Sequence, residues 1–471
     1  MRLNLICLLA GLWLSLCSEV LSAQNTPTNE QVFRFDAFMG FVKKNHPRVK
    51  RAQIRLSEAE AALLQARGGF DPKVAVDFDK KEFKNTTYYS VLNSTFKVPT
   101  WYGVELKAGF EQTDGYYLSP ENTTPIQGLA AVGATVSLAQ NLWINPRMAD
   151  LRKAKAGLTL GRAQQQLDAL QVLFEAALAY HNWVRTHAEL TLYQNYVSQA
   201  QNRLQGIQGL IRLGDKPAID SVEAGILYKN RQISLIEAQI KHNKARLELS
   251  NFLWLDNNIP LELQPDQIPD PELEAHVGES LPLQEVLLPN WGVNSHPKLV
   301  SMEQKINQLN IDRQLKINQL LPRIDVGYAY LTTPEGWNKT PWTDYKLSLN
   351  VAFPLLLRKE RGSVKLARLK LTDAQLDLGW EKIQLENKAK ALRQEYNNLG
   401  QQLRLYRELV DASETLLRSE QRLFEAGESS LFLLNTRENN LITARLNLQA
   451  TQFRYWSVYT ELYRTQGVTG L

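Results

Sequence analysis

The sequence predicts a mainly helical protein with a minority of β-strands, built as two tandem copies of one unit. Three observations carry this. A His-Pro pair occurs twice, at His46-Pro47 and His296-Pro297, each followed 25 positions later by a second proline, Pro72 and Pro322. Two stretches of about 65 residues, beginning at Pro146 and at Arg358, continue without a further proline and with apolar residues at helical spacing. Each copy also contains segments in which apolar and polar residues alternate. The same succession of periods, twice over, is the mark of an internal duplication.

In the first copy, helix formers occupy about 31 to 66, with a break at Pro47, and Gly68-Gly69 ends the helix. Strands are expected within about 72–140. Val74, Val76 and Phe78 alternate with Lys73, Ala75, Asp77 and Asp79; Tyr102 to Phe110 and Val132 to Leu138 alternate likewise. Tyr88 to Val98 is a weaker candidate, open between a hairpin arm, a plug and a loop. A helical hairpin follows over 146–255. Ala163, Leu167, Leu170, Phe174 and Ala177, then Val197, Ala200, Leu204, Ile207 and Ile211, repeat at threes and fours, as in a coiled-coil seam. A helix of some 65 residues is about 100 Å long and needs partners of similar length. Gly214-Asp215-Lys216-Pro217 makes its tip, and the returning helix is expected from Asp220 to about Leu255.

Seven of the 19 prolines fall between Pro260 and Pro297, so 256–294 reads as a linker or small irregular region. The second copy occupies 295–471, with strands in 323–353, a long hairpin over 358–468 and a tip at Gly427-Glu428-Ser429-Ser430. Leu434, Leu441, Ala444, Leu448, Tyr455, Tyr459 and Leu462 mark its returning face.

Residues 1–23 read as a secretory signal peptide: Arg2, the short apolar run Leu3 to Leu16, and Ala23 before a cut at Gln24. Both cysteines, Cys7 and Cys17, lie inside it, so disulfides and thiolate chemistry are not expected in the mature protein. Cys17 resembles a lipoprotein cysteine only loosely, because Leu16 is bulky where such sites carry a small residue. The net charge of +5 is spread along 471 residues with no basic block, which gives no reason to expect a nucleic-acid partner.

After the leader no apolar run is long enough for a membrane helix, so any membrane contact must be made by strands. Strands of about ten residues with one apolar face suit a barrel with a wet interior. Trp101, Tyr102, Tyr116, Tyr117, Trp337, Trp342 and Tyr345 stand near their ends, as interfacial girdles would. A soluble antiparallel sheet packed on helices shows the same alternation. Four to six strands cannot enclose a lumen, since the smallest barrels need about eight. Both the strands and the long seams therefore call for a cyclic homo-oligomer around an axial pore.

The duplicated order, the segment Leu423-Phe424-Glu425-Ala426-Gly427-Glu428-Ser429-Ser430-Leu431-Phe432-Leu433-Leu434, and the strand-into-helix segment Leu349-Asn350-Val351-Ala352-Phe353-Pro354-Leu355 resemble the TolC family of bacterial outer-membrane efflux proteins. The resemblance implies a homotrimer whose 12-stranded barrel sits in outer-membrane lipid of a Gram-negative bacterium and continues as a helical tunnel across the periplasm. It also implies two protein partners, a periplasmic adaptor and an inner-membrane pump, and passive conduction of the pump's substrate in efflux or secretion. A periplasmic coiled-coil adaptor or scaffold without a pore is the alternative.

No catalytic grouping, cofactor motif or metal spacing stands out. His46, His181, His187, His242, His276 and His296 lack ligand spacing, and no phosphate-cradling loop occurs. His46 and His296 are expected to act at helix starts. The candidate entrance residues are the tip acids Asp215, Asp220, Glu223, Glu425 and Glu428, each repeated around a ring in an oligomer. Members of the resembled family often carry aspartates shortly after both tip glycines. Asp220 fits this pattern, whereas Leu433 and Thr436 stand in the matching places of the second copy.

Overall fold

The computed structural model describes residues 31–283, 293–336 and 343–467. The expected leader and the girdle candidates Trp337 and Trp342 lie outside the described residues. The elements are β1 (Gln31–Phe33), α1 (Phe35–Asn45), α2 (Pro47–Arg67), β2 (Lys73–Phe83), β3 (Thr86–Pro99), β4 (Val104–Asp114), β5 (Leu129–Ser137), α3 (Pro146–Leu213), α4 (Ala218–Ser250), β6 (Trp254–Leu255), β7 (Ile259–Pro260), β8 (Gln267–Pro269), α5 (Leu273–Ser280), α6 (Pro297–Asn318), β9 (Arg323–Thr332), β10 (Tyr345–Ala352), α7 (Arg358–Glu425) and α8 (Leu431–Gln466). Among the described residues no helix is long and apolar enough to cross a membrane, a finding that bears on helices alone.

Local chemistry explains where the helices begin. Pro47 and Pro297 open α2 and α6, where a missing N–H costs nothing. The residue before each is a histidine with extended backbone. His46 Nδ1 accepts from Arg48 N at 3.2 Å, and His296 Nδ1 accepts from Lys298 N at 3.1 Å, so both imidazoles act as caps. Asn145 does the same before Pro146, its Oδ1 taking the Met148 N–H at 2.9 Å.

Two compact units form. One holds the described residues within 50–170, 289–390 and 465–471. Its centre is a six-stranded antiparallel sheet, in the order β10-β9-β5-β4-β3-β2. The segment 88–98, left open by the sequence, lies in β3, which is paired on both sides over Ser90–Lys97. Twelve strands shared by three copies would be four per chain; this sheet has six. Counted from the β10 edge, the two strands beyond four are β2 and β3; β2 alternates as expected, whereas Thr86–Ser94 of β3 alternates weakly and is made mostly of Thr, Ser, Tyr and Asn. Beside the sheet, Ile144, Ala149, Ile311 and Leu315 form an apolar cluster where α3 meets α6, fastened by Lys153–Asp312 at 3.0 Å and by Asn318 Nδ2 donating to Ile144 O at 2.7 Å. Trp101, one of the girdle candidates, is half-buried and stacks on Phe70 at 5.5 Å, with the Arg152 guanidinium over its ring.

The other unit holds the described residues within 1–49, 171–288 and 391–464. Here the helical hairpins close on apolar seams, with Val410 and Leu417 of α7 against Leu434, Leu441 and Ala444 of α8. The seven-residue steps are those of a coiled coil. On α4 the buried row is Ala224, Arg231, Ala238 and Ala245, also at steps of seven, and its small residues let the helices approach closely. The returning helix α4 stops at Ser250, short of the expected Leu255, because Trp254-Leu255 turns out to pair with Ile259-Pro260. The sequence also gave no hint of β1, which pairs in parallel with β8. That pairing is held by the buried Asp270, whose Oδ2 accepts from Phe35 N at 3.2 Å and lies 2.5 Å from His276 Nδ1. Tyr180 OH donates to Phe33 O at 2.5 Å and accepts from Asp270 N at 3.1 Å. Burial drives the Tyr180 phenol well above its usual pKa, so it stays a donor.

Candidate functional site

The sheet has two faces of opposite character. Cross-strand register places Val74, Phe96, Ala108, Val132, Tyr330 and Tyr345 in one row across all six strands. Val76, Phe78, Leu106, Tyr328, Leu347, Leu349 and Val351 share this face. It is uncovered: Val74 is 72% exposed, Phe78 61% and Leu349 68%, and every position of β2 and β10 is exposed. A soluble sheet packs such a face on helices. Among the described residues no helix packs on this one, which argues against the packed-sheet alternative. Aromatic residues flank the face. Tyr116 and Tyr117 cluster with Tyr88 where β4 ends, while Tyr102 and Trp143 are exposed where the strands meet the helices. Trp143, 77% exposed, lies outside any alternating segment and was not among the expected girdle residues.

The opposite face is polar. Lys73, Lys97, Lys107, Gly133, Ala329 and Lys346 form one row, with three of the lysines on adjacent strands. Like charges directly opposite destabilise a strand pair unless water screens them, so this face is built to be wet. Toward the helix junction, Arg147 Nη1 meets Glu105 Oε1 at 2.8 Å, Arg323 Nε meets Asp325 Oδ2 at 2.7 Å, and Ser137 Oγ donates to Asp325 Oδ1 at 2.7 Å. These side chains line a concavity with Lys107, Ser348 and Asn350. Periodicity identified the face, but the lysine row required the register.

The two hairpin tips are built alike. Gly214 (φ +86°) and Gly427 (φ +80°) each take the left-handed conformation after the last helical residues. Asp215 N–H reaches Leu210 O at 3.0 Å and Glu428 N–H reaches Leu423 O at 2.9 Å, closing a Schellman turn in both. Asp215 and Glu428, each following its glycine, therefore occupy matching positions and are exposed, as is Glu425. Asp220 is half-buried in the first turn of α4. Glu223 is engaged, accepting from Asn435 Nδ2 of α8 at 3.0 Å.

The structure adds a cluster that the expected tip acids do not include. Glu438 of α8 is fully buried; Arg203 Nη2 of α3 lies 2.5 Å from it and Arg231 Nη2 of α4 lies 3.4 Å away. Arg203 also bonds Asn435, and Arg231 bonds Asn439 at 2.6 Å. Beside it Ile207, Ala224 and Leu431 pack together, with Lys216 Nζ 4.9 Å over the Phe424 ring. One hairpin is thus clamped to the other. The available signal was a glutamate standing between Leu434 and Leu441 on an apolar seam. No group of three or more His, Cys, Asp or Glu suited to a metal occurs among the described residues.

No family sequence model and no curated protein matches the chain. Solved structures do. The chain matches the Campylobacter jejuni CmeC outer membrane channel at TM-score 0.64 and 12% identity, covering 94% of this chain and 90% of that one. It matches the Neisseria gonorrhoeae MtrE outer membrane channel in its open state at TM-score 0.65 and 13% identity, over 95% and 93%. The Vibrio cholerae outer membrane protein VceC aligns at TM-score 0.63 and 12% identity, over 91% and 95%. At this identity the likeness is one of fold: the chain has the architecture of these outer-membrane channel chains, mainly helical with long helices and a strand sheet, as the sequence resemblance implied, with six strands in the sheet where it implied four.

Proposed function

We propose that this chain is one protomer of an outer-membrane channel of the TolC kind. Sheets from several copies close into a barrel, the helical hairpins pack side by side as a periplasmic tunnel, and substrate is conducted passively. The observation that carries this is the sheet itself, with an uncovered apolar face continuous over six strands backed by a charged, wet one. Lipid on one side and water on the other is the environment that satisfies both.

Oligomerisation follows from the same economy. On α4 a row of isoleucines and their kin, Ile219, Val222, Ile226, Ile233, Ile236, Ile240 and Leu247, is exposed at steps of three, four and seven. It is a second coiled-coil seam without a partner among the described residues of its own chain, and a further copy supplies one. Three copies are the number the sequence resemblance implies. A periplasmic adaptor docking at the tips and an inner-membrane pump complete the proposed assembly, and the pump selects what is exported.

The test is fractionation followed by recording. The reading expects the protein to stay with outer membranes through carbonate and high-salt washing, and to give discrete conductance steps in planar bilayers. Release by carbonate with no conductance would instead fit a peripheral adaptor.

A further inference from the structure

We infer that the β2–β3 hairpin is part of the membrane wall, so that each copy supplies six strands and the β2 edge of one copy pairs with the β10 edge of the next. In a trimer the wall then has eighteen strands, not twelve. The inference rests on the channel reading above and adds what that reading leaves open: which edges meet and how wide the wall is.

Four observations support it. The Val74–Phe96–Ala108–Val132–Tyr330–Tyr345 row crosses the added hairpin without a change of face, so β2 and β3 carry the same lipid-side and water-side assignment as the four strands beside them. An appended soluble hairpin has no reason to keep that phase, and it would leave Val74, Val76 and Phe78, 72%, 60% and 61% exposed, in water. The β2–β3 connection is a two-residue turn, Lys84-Asn85, with φ of 50° and 58°, the geometry of a type I′ hairpin that keeps both strands in one twisted sheet. At 11 and 14 residues β2 and β3 are each long enough to cross a bilayer as tilted strands, which takes about 9–11 residues.

The fourth observation is direction. Six antiparallel strands put β2 and β10 on opposite edges running opposite ways. The β2 of one copy and the β10 of its neighbour are therefore antiparallel when they meet, and the alternation continues around the ring. Each edge carries unpaired N–H and C=O groups that lipid cannot satisfy, so closure must use both. Because barrel diameter rises roughly linearly with strand number, this wall is about 1.5-fold wider than one of twelve strands.

The test uses the full chain with Cys7 and Cys17 replaced by Ser. Asp77→Cys is combined in turn with Lys346→Cys, Ser348→Cys and Asn350→Cys, all on the water-side face; a second series puts Gly109→Cys of β4 with the same three. Within one chain the two edges are five strand spacings apart, about 24 Å, so an Asp77-series disulfide must join copies. The expected result is that at least one Asp77 pair turns most of the protein into covalent trimer on denaturing gels while no Gly109 pair does. Linking through Gly109 alone overturns the inference in favour of four strands per copy and leaves the channel standing. Linking through neither series, in a protein that still conducts, overturns it too. As a second readout, a fluorophore at Val76→Cys should be quenched by brominated lipid and one at Asp77→Cys should not; equal quenching at the two rejects a wall position for β2. Absence of conductance in the unmodified protein would sink the channel reading itself.

Discussion

Arg203 of α3 and Glu438 of α8 meet at 2.5 Å with the carboxylate fully buried, and Arg231 of α4 approaches the same carboxylate from a third helix. A charge so placed is tolerable only while paired. Removing it leaves two arginines, with side chains 12% and 9% exposed, facing a hole. Glu438→Ala is therefore expected to lower stability by about 3–5 kcal/mol, and Glu438→Gln by less. Denaturant unfolding of the detergent-solubilised protein measures this, with limited proteolysis at the two tips as the local readout.

The lysine row offers a charge reversal with two consequences. Lys97 stands between Lys73 and Lys107 in register. Lys97→Glu replaces two like-charge neighbours with two opposite ones and should stabilise the sheet by about 0.5–1 kcal/mol. If the face lines a pore, the same variant shifts the reversal potential in a salt gradient toward cations. A shift toward anions, or none, would remove this face from the conduction path.

At the tips, Asp215, Glu425 and Glu428 are exposed and Asp220 half-buried. Under the proposed ring arrangement, Asp220→Ala and a combined Asp215→Asn, Glu428→Gln variant should each lower cation selectivity in single-channel recordings. Glu223→Ala should act differently, since it frees Asn435 from a cross-hairpin bond; its expected effect is more frequent opening.

Gly133 sits where β5 passes β9. A Cβ there would lie 2.0 Å from Tyr328 O and 2.5 Å from Ala329 Cα, both backbone atoms that cannot step aside. Gly133→Val should break the β5–β9 pairing and abolish any heat-modifiable oligomer band on gels, whereas Ala134→Val, on the exposed apolar face, should not.

Acid should weaken the other unit through His181. Its ring is 2% exposed, stacked on Phe35 at 5.3 Å and hydrogen-bonded to Thr460 at 3.2 Å. Burial lowers its pKa to about 3, below the usual histidine value. The unfolded chain then binds a proton that the folded one refuses, so the contribution is full above about pH 6.5 and is lost as pH falls toward 3. Between pH 6.5 and 5 that amounts to about 2 kcal/mol at most. His181→Phe should flatten the fall of melting temperature over this range.

Much of the fold was legible because it is written in periods. The seams through Leu170, Ala177, Ala200 and Ile207, and through Leu434 and Leu441, are buried where heptad spacing put them. The strand faces through Val74 and Leu349 lie on the side that alternation assigned. What escaped had no period to betray it. Tyr88 to Ser94 has too few apolar residues to alternate, and β3 is set by its neighbours on either side. The β1–β8 pair is three residues on each strand, joined across more than two hundred positions by Asp270. At the tips the glycines were readable because only a left-handed turn needs them, but the Arg203–Arg231–Glu438 cluster joins three helices, and its members become one group only in space.

The opposed running directions of β2 and β10 set a rule for how such a wall can change over evolutionary time. A single inserted strand would leave the two borders of the protomer running the same way and spoil the seam between neighbours; a hairpin does not. Under the proposed closure, calibre can therefore be gained or shed only by whole hairpins, each repeated once per copy, so that pore sizes would come in discrete grades with nothing between them.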